Sequence, residues 1–303
     1  MLFLFLALLS LTNPPATGGP RDAAYRADVE KWRADRIAHL TAEDGWLTLV
    51  GLFWLHEGEN SIGADPSNKV VLPAGKSRPV LGRIRVAGGR AHLDVEPGVE
   101  VTHDGKRVRS IGIGSDETGE PTLLRHGTLS FYLIRRGEKL GVRVKDSANA
   151  ARKSFRGIDN YPIDSAWRVP ARLEPYPGGK SIAIPNVLGN VTRERSPGAV
   201  VFSIGGREYR LDAVDEEGED DLFLIFADGT NGTTTYGAGR FLYAPRPGKD
   251  GRTVVDFNKA YNPPCAFTPF ATCPLPPRQN RLPVRVEAGE KSYGTGSGLH
   301  LPH

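Results

Sequence analysis

A chain of 303 residues, 39% hydrophobic and 24% charged, is long enough for one large or two smaller cores and reads as globular. Its net charge of +4 comes from scattered basic residues, which excludes the concentrated patch that nucleic-acid binding needs. Thirty-six glycines and 24 prolines favour many turns joining short strands.

The chain opens on MLFLFLALLSLTNPPATGGP, apolar from Leu2 to Leu11. The run has the length of a signal-peptide core and is too short to span a bilayer comfortably. Residues 1–19 therefore read as a signal peptide lacking its basic start, against the alternative of a disordered, oily N-terminus. The signal reading predicts an extracytoplasmic protein, periplasmic or secreted. No later segment approaches transmembrane length, and no cysteine follows the run to accept a lipid.

Residues 20–303 read as one β-rich region. RDAAYRADVEKWRADRIAHLTAEDGW comes first, with Tyr25, Val29, Trp32 and Leu40 at or near helical spacing and charges between them. Gly45 stops that helix. GWLTLVGLFWLHEGENSIG follows as a buried strand ending in a polar turn. Beyond residue 60 the pattern changes to short alternating runs. GRIRVAGGRAHLDV and SFYLIRRGEKLGVRV are expected hairpins, turning near Gly88–Gly89 and Arg136–Gly137. DSANAARKSFRGIDNYPIDSAWRVPARLEPYPGGK is a longer irregular stretch, so a soft internal boundary is placed near 146–180. Strand signals resume at AVVFSIGGREYRLDAV, DLFLIFAD, GRFLYAP and RTVVDFN, and the tail GTGSGLHLPH reads as loose. The class is mainly β: antiparallel barrel or sandwich layers with one N-terminal helix. One-sided alternation argues against a parallel α/β sheet.

Standard motifs are mostly absent. GGKS at 178–181 lacks the first glycine of a phosphate loop, and GTGSG at 294–298 lacks a strand-to-helix setting. The seven histidines form no HExxH, and two cysteines alone make no four-ligand zinc site, so neither a metal nor a cofactor is assigned. DEEGEDD at 215–221 fits no calcium loop and reads as a solvated turn.

Three polar clusters remain. His126 stands at the entrance of a strong strand, as a general base or as a side chain bonding a backbone carbonyl. Arg240, in the Gly-rich connection after Asp228, is an anion clamp or the partner of an aspartate. DFNKAYNPPCAFTPFATCP carries Asp256, Asn258, Lys259, Tyr261, Asn262, Cys265 and Cys273 in a loop stiffened by prolines. Such a loop suits a site that needs fixed geometry, and equally a clasp over the fold. Cys265 and Cys273 are a disulfide candidate if the chain is exported, and two free thiols otherwise.

Together with TYGAGRF, LLRHG, NRLPVRVEAGE and GWLTLVGLFWL, the motif DFNKAYNPPC resembles the domain-of-unknown-function family numbered 1684, over most of the chain from about residue 25 to 291. The resemblance implies no activity. Family members often look exported or lipid-anchored, which supports the signal reading, and this chain departs in lacking the lipidation cysteine.

Two functions are weighed. In one, a cleft binds an anionic small molecule, with the chain acting as a possible hydrolase. Asp256 and His126 would then be acid/base groups, and Lys259, Arg240, Asn258, Tyr261 and Asn262 ligand contacts. In the other, a non-enzymatic envelope module recognises a partner or glycan, and the DFNKAYNPPC loop is a structural clasp. Exposed tryptophans would favour the second.

Overall fold

The computed structural model describes residues 20–294 apart from residue 217. The leader expected at 1–19 and nearly all of the loose tail lie outside the described residues. No described helix is long and apolar enough to cross a membrane.

Helix α1 (Pro20–Thr41) starts on a proline, whose missing N–H costs nothing at a first helical position. No glycine or proline interrupts it afterwards, and Asp22 pairs with Arg26 one turn on, at 3.0 Å. Val29 and Leu40 are fully buried, while Tyr25, Trp32, Arg33 and Arg36 flank them half-buried on the same side. The inner face is thus amphipathic, and its polar members reach far along the chain.

Eleven strands follow: β1 (Leu49–Trp54), β2 (Gly58–Gly63), β3 (Val70–Val71), β4 (Gly82–Ala87), β5 (Arg90–Val95), β6 (Val101–His103), β7 (Lys106–Val108), β8 (Ser110–Ile113), β9 (Leu124–His126), β10 (Leu129–Arg136) and β11 (Lys139–Asp146). They form a five-stranded sheet ordered β3-β2-β4-β5-β8 and a six-stranded sheet ordered β1-β11-β10-β9-β6-β7. Every pairing between these strands is antiparallel except β2 with β3. In β4 buried and exposed residues alternate strictly, the period-2 signature of a one-sided strand. Gly88 and Gly89, both at positive φ, close the expected β4–β5 hairpin. Ile84 and Leu93 of one sheet and Phe131 and Val142 of the other meet in a single core, so the two sheets are packed layers.

Helix α2 (Ala150–Ser154) leads into β12 (Arg168–Pro185), β13 (Val191–Ile204), β14 (Arg207–Asp212), β15 (Leu222–Phe226), β16 (Arg240–Ala244) and β17 (Arg252–Asp256). The sheet β14-β13-β12-β17 covers the pair β15-β16 across a second core that includes Phe202, Leu224, Leu242 and Phe257. The other face of that pair, with Phe223 and Phe241, packs on Ile182, Ala271 and Cys273 in a third cluster. The mainly β, antiparallel class with one N-terminal helix is therefore what the chain forms.

The irregular stretch is shorter than expected, because its last third, from Arg168, is the start of β12. Pro175 and Pro177 lie within that strand. β17 pairs with β12 at residues 168–172, so these prolines lie beyond it, where that edge is free and a missing N–H is tolerated. The β12–β13 register also shifts between Pro175 and Lys180, which absorbs Tyr176 to Gly179.

Candidate functional site

Taken residue by residue, the DFNKAYNPPC loop fastens α1 to the second core. Asp256 Oδ1 accepts hydrogen bonds from the Tyr25 hydroxyl at 2.8 Å and from the Asn258 backbone N–H at 3.1 Å. Burial, helped by the Asp256 carboxylate, pushes the Tyr25 phenol well up, so it stays a donor. Phe257 is fully buried, with its ring 5.5 Å from Phe202 and 5.6 Å from Phe226. Asn258, also fully buried, donates to the Asp164 carbonyl and to the Tyr25 oxygen, both at 2.8 Å. The Lys259 ammonium meets Asp28 of α1 at 2.7 Å.

The second half of the motif repeats the pattern. The Tyr261 ring lies under the Arg36 guanidinium, 4.7 Å from its centre. Asn262 donates from its backbone to Glu290 Oε2 and from its side chain to the Lys291 carbonyl, both at 2.7 Å. Arg36 completes the knot through Glu290 Oε1 at 3.2 Å and the Asn262 carbonyl at 2.8 Å. Gly289 makes this possible. It sits at φ 78°, and a Cβ there would lie 2.4 Å from the Ala260 carbonyl oxygen.

Arg240 is wholly buried. It donates to Asp228 at 2.7 Å, to the Val286 carbonyl at 2.9 Å and to the Ala288 carbonyl. Its guanidinium joins β16 to the 286–288 segment from inside the core. His126 lies at the end of β9, where its Nδ1 is 2.7 Å from the Glu100 carbonyl oxygen. The structure does not bring Arg240, His126 and Lys259 to one cleft. It does bring Asp256, Lys259 and Tyr261 to one hollow of about 210 Å³ beside Trp32 and Arg168.

A larger cavity, about 410 Å³, opens on the far side of Tyr261. Its walls come from α1, from β10 and β11, from β15 and β16, and from the loop through Thr272 and Cys273. Alternation along β11 sends Val142 and Val144 into the first core and leaves Arg143 on the opposite face. That face is covered, not solvated, and Arg143 is 4% exposed. Its guanidinium sits 5.2 Å from the Trp46 ring centre and 5.9 Å from that of Tyr132. It reaches the Tyr132 and Thr272 hydroxyls only at 3.4 Å, and its Nε has no partner. Among the described residues no carboxylate pairs with it.

The other cations of the wall are committed. Arg36 is held by Glu290, and Arg136 pairs with Asp116 at 2.9 Å while donating to the Thr272 hydroxyl at 3.1 Å. Among the described residues the one acid of the lining is Glu216, which accepts from the Tyr243 hydroxyl at 2.7 Å. Burial pushes its carboxyl up from the usual range. Phe223, Phe241, Tyr243 and Tyr261 supply an aromatic wall, with neighbouring centroids 5.0–6.3 Å apart. The DEEGEDD segment was expected to be a solvated turn, yet it delivers Glu216 here.

Cys265 and Cys273 face each other across the loop. Each sulfur accepts from the other residue's backbone N–H, at 3.1 Å to Cys273 Sγ and 3.3 Å to Cys265 Sγ. Both are present as free thiols. The hydrogen bond from Cys273 holds the Cys265 thiol below its ordinary value, while burial pushes Cys273 well up. No tryptophan is exposed: Trp32, Trp46, Trp54 and Trp167 are all half-buried. The described surface shows only Val80 and Val191 as exposed large apolar side chains.

Fold and site define an antiparallel β protein, strapped by an N-terminal helix around an arginine- and aromatic-lined cavity. A family model described as a protein of unknown function, DUF1684, matches residues 153–291, and the chain belongs to that family. The match is shorter than the span expected from the motifs. An uncharacterized protein from Haloarcula marismortui, solved by solution NMR, is 30% identical; the alignment covers 46% of this chain and 78% of that one, with a TM-score of 0.39. The FHA domain of FhaA, crystallised in complex with an intracellular domain, is 18% identical over 31% of this chain and 97% of that one, at a TM-score of 0.23. A structure from a study of phosphothreonine-dependent FHA domain interactions is 19% identical over 32% and 96%, again at 0.23. No curated protein matches the chain.

Proposed function

We propose that the protein binds a small anion with an apolar body in the cavity between β10–β11 and β15–β16. One observation carries the reading: Arg143 is buried at the cavity wall with no carboxylate partner among the described residues and an unsatisfied Nε. A guanidinium taken out of water without a counter-charge costs several kcal/mol, which an incoming anion would return. The aromatic wall suits the apolar part of such a ligand. If residues 1–19 direct export, the cavity serves an extracytoplasmic ligand.

Binding is favoured over hydrolysis by the lining. Among the described residues it holds no histidine or serine, and burial keeps the Cys273 thiol protonated. The clasp reading is also supported, but for the DFNKAYNPPC loop, whose contacts hold α1 and so place Arg36 at the wall.

The test is thermal unfolding with benzoate, hexanoate or inorganic phosphate added, for wild type and Arg143→Met. An anion at a hundred times its dissociation constant adds about 2.7 kcal/mol to wild-type stability. Arg143→Met should melt at or above the wild-type temperature and gain nothing from any of the three anions. A sharp loss of stability in that variant, with anion response intact, would make Arg143 a structural strut and end the proposal.

A further inference from the structure

The cavity wall carries two charges with no ion-pair partner among the described residues: Arg143 and Glu216. Arg36 and Arg136 are each held by a carboxylate outside the lining. Glu216, by contrast, forms no ion pair among the described residues, and its hydroxyl partner Tyr243 leaves it a free acceptor oxygen. Arg143 and Glu216 do not pair with each other, although they line one cavity. Arg143 comes from β11 with Trp46 and Tyr132 against it, and Glu216 from the segment before β15 with Tyr243 against it. Opposite charges that line one cavity without touching leave room for a ligand with both complements.

We infer that the ligand is a small zwitterion, with a carboxylate or phosphate directed to Arg143, an ammonium to Glu216 and an apolar segment along the aromatic wall. The inference rests on the anion-site reading and adds the second pole. Charge-assisted hydrogen bonds at both ends fix the ligand's direction, and its length must match the gap between the poles. The Tyr243 ring, bonded through its hydroxyl to Glu216 and packed 5.0 Å from Phe223, further suits an ammonium, since a cation is drawn to aromatic faces. The raised proton affinity of Glu216 fits an acid whose natural partner arrives with the ligand.

A length ladder tests this. Isothermal titration is run with 4-aminobutyrate, 6-aminohexanoate and 8-aminooctanoate, each beside the carboxylate lacking the amine. The expected result is one chain length bound about tenfold or more tighter than its amine-free partner. In Glu216→Gln that advantage should vanish while carboxylate binding stays. In Glu216→Asp the preferred length should move upward, because the acid is one methylene shorter. If carboxylates bind through Arg143 and the amine adds nothing, the second pole is wrong and the anion site stands. An amine advantage that survives Glu216→Gln also overturns the assignment. If neither series binds, both readings fail.

Discussion

Arg240 and Lys259 show how differently two ion pairs of this molecule weigh. Arg240 and Asp228 are both fully buried, and removing one partner strands the other's charge in the core. Arg240→Ala is therefore expected to cost about 3–5 kcal/mol in chemical denaturation. Lys259 and Asp28 are open to solvent, at 26% and 62% side-chain exposure, so Lys259→Ala should cost no more than about 1 kcal/mol. Equal losses in the two variants would contradict this. Phe257 sits between them in the chain's longest motif and is packed by Phe202 and Phe226. The motif thus alternates core residues with tethers, and the polar side chains expected there as acid/base and ligand groups bond α1 and neighbouring backbone. Nothing in the sequence around Arg143 marks it. Alternation in KLGVRVKD tells which residues leave the core, and it does not tell that a second layer covers the face they leave on. Glu216 was equally hidden, in a run of acids whose composition reads as solvated.

Among the elements, β4 and β5 were legible because one face of each meets a core and the other meets water. β12 was not, since its prolines sit where their lost donors cost nothing. The loop from Pro264 to Pro274 is the element with most left to reveal. Its reciprocal N–H···Sγ contacts set the two sulfurs against each other, and Thr272 beside them accepts from Arg136. Cys265, the less buried thiol and the one held low, should alkylate with iodoacetamide well before Cys273. We further propose that oxidised glutathione links the pair, with two hydrogens leaving as two molecules of reduced glutathione. Mass spectrometry after trypsin digestion should then find residues 265 and 273 joined. Two mixed disulfides and no cross-link would show that the loop holds the sulfurs apart.

At the scale of the molecule, the first core draws on residues 62–144 and the second on residues 169–288. They support the proposal of a division within 146–180. Residues 45–149 expressed alone should melt cooperatively, because their core is internal to them. They should give no anion response, because Arg143 would then face water. A fragment that stays unfolded would show the two layers to depend on the rest.

Helix α1 adds a matter of timing. It is the first described element to leave the ribosome, and its partners are among the last: Tyr25 waits 231 positions for Asp256, and Arg36 waits 254 for Glu290. Contacts so distant in sequence form late in folding, after local hairpins. The first layers can assemble during synthesis while the helix stays undocked. The cavity it walls is therefore expected to be among the last features of the molecule to close.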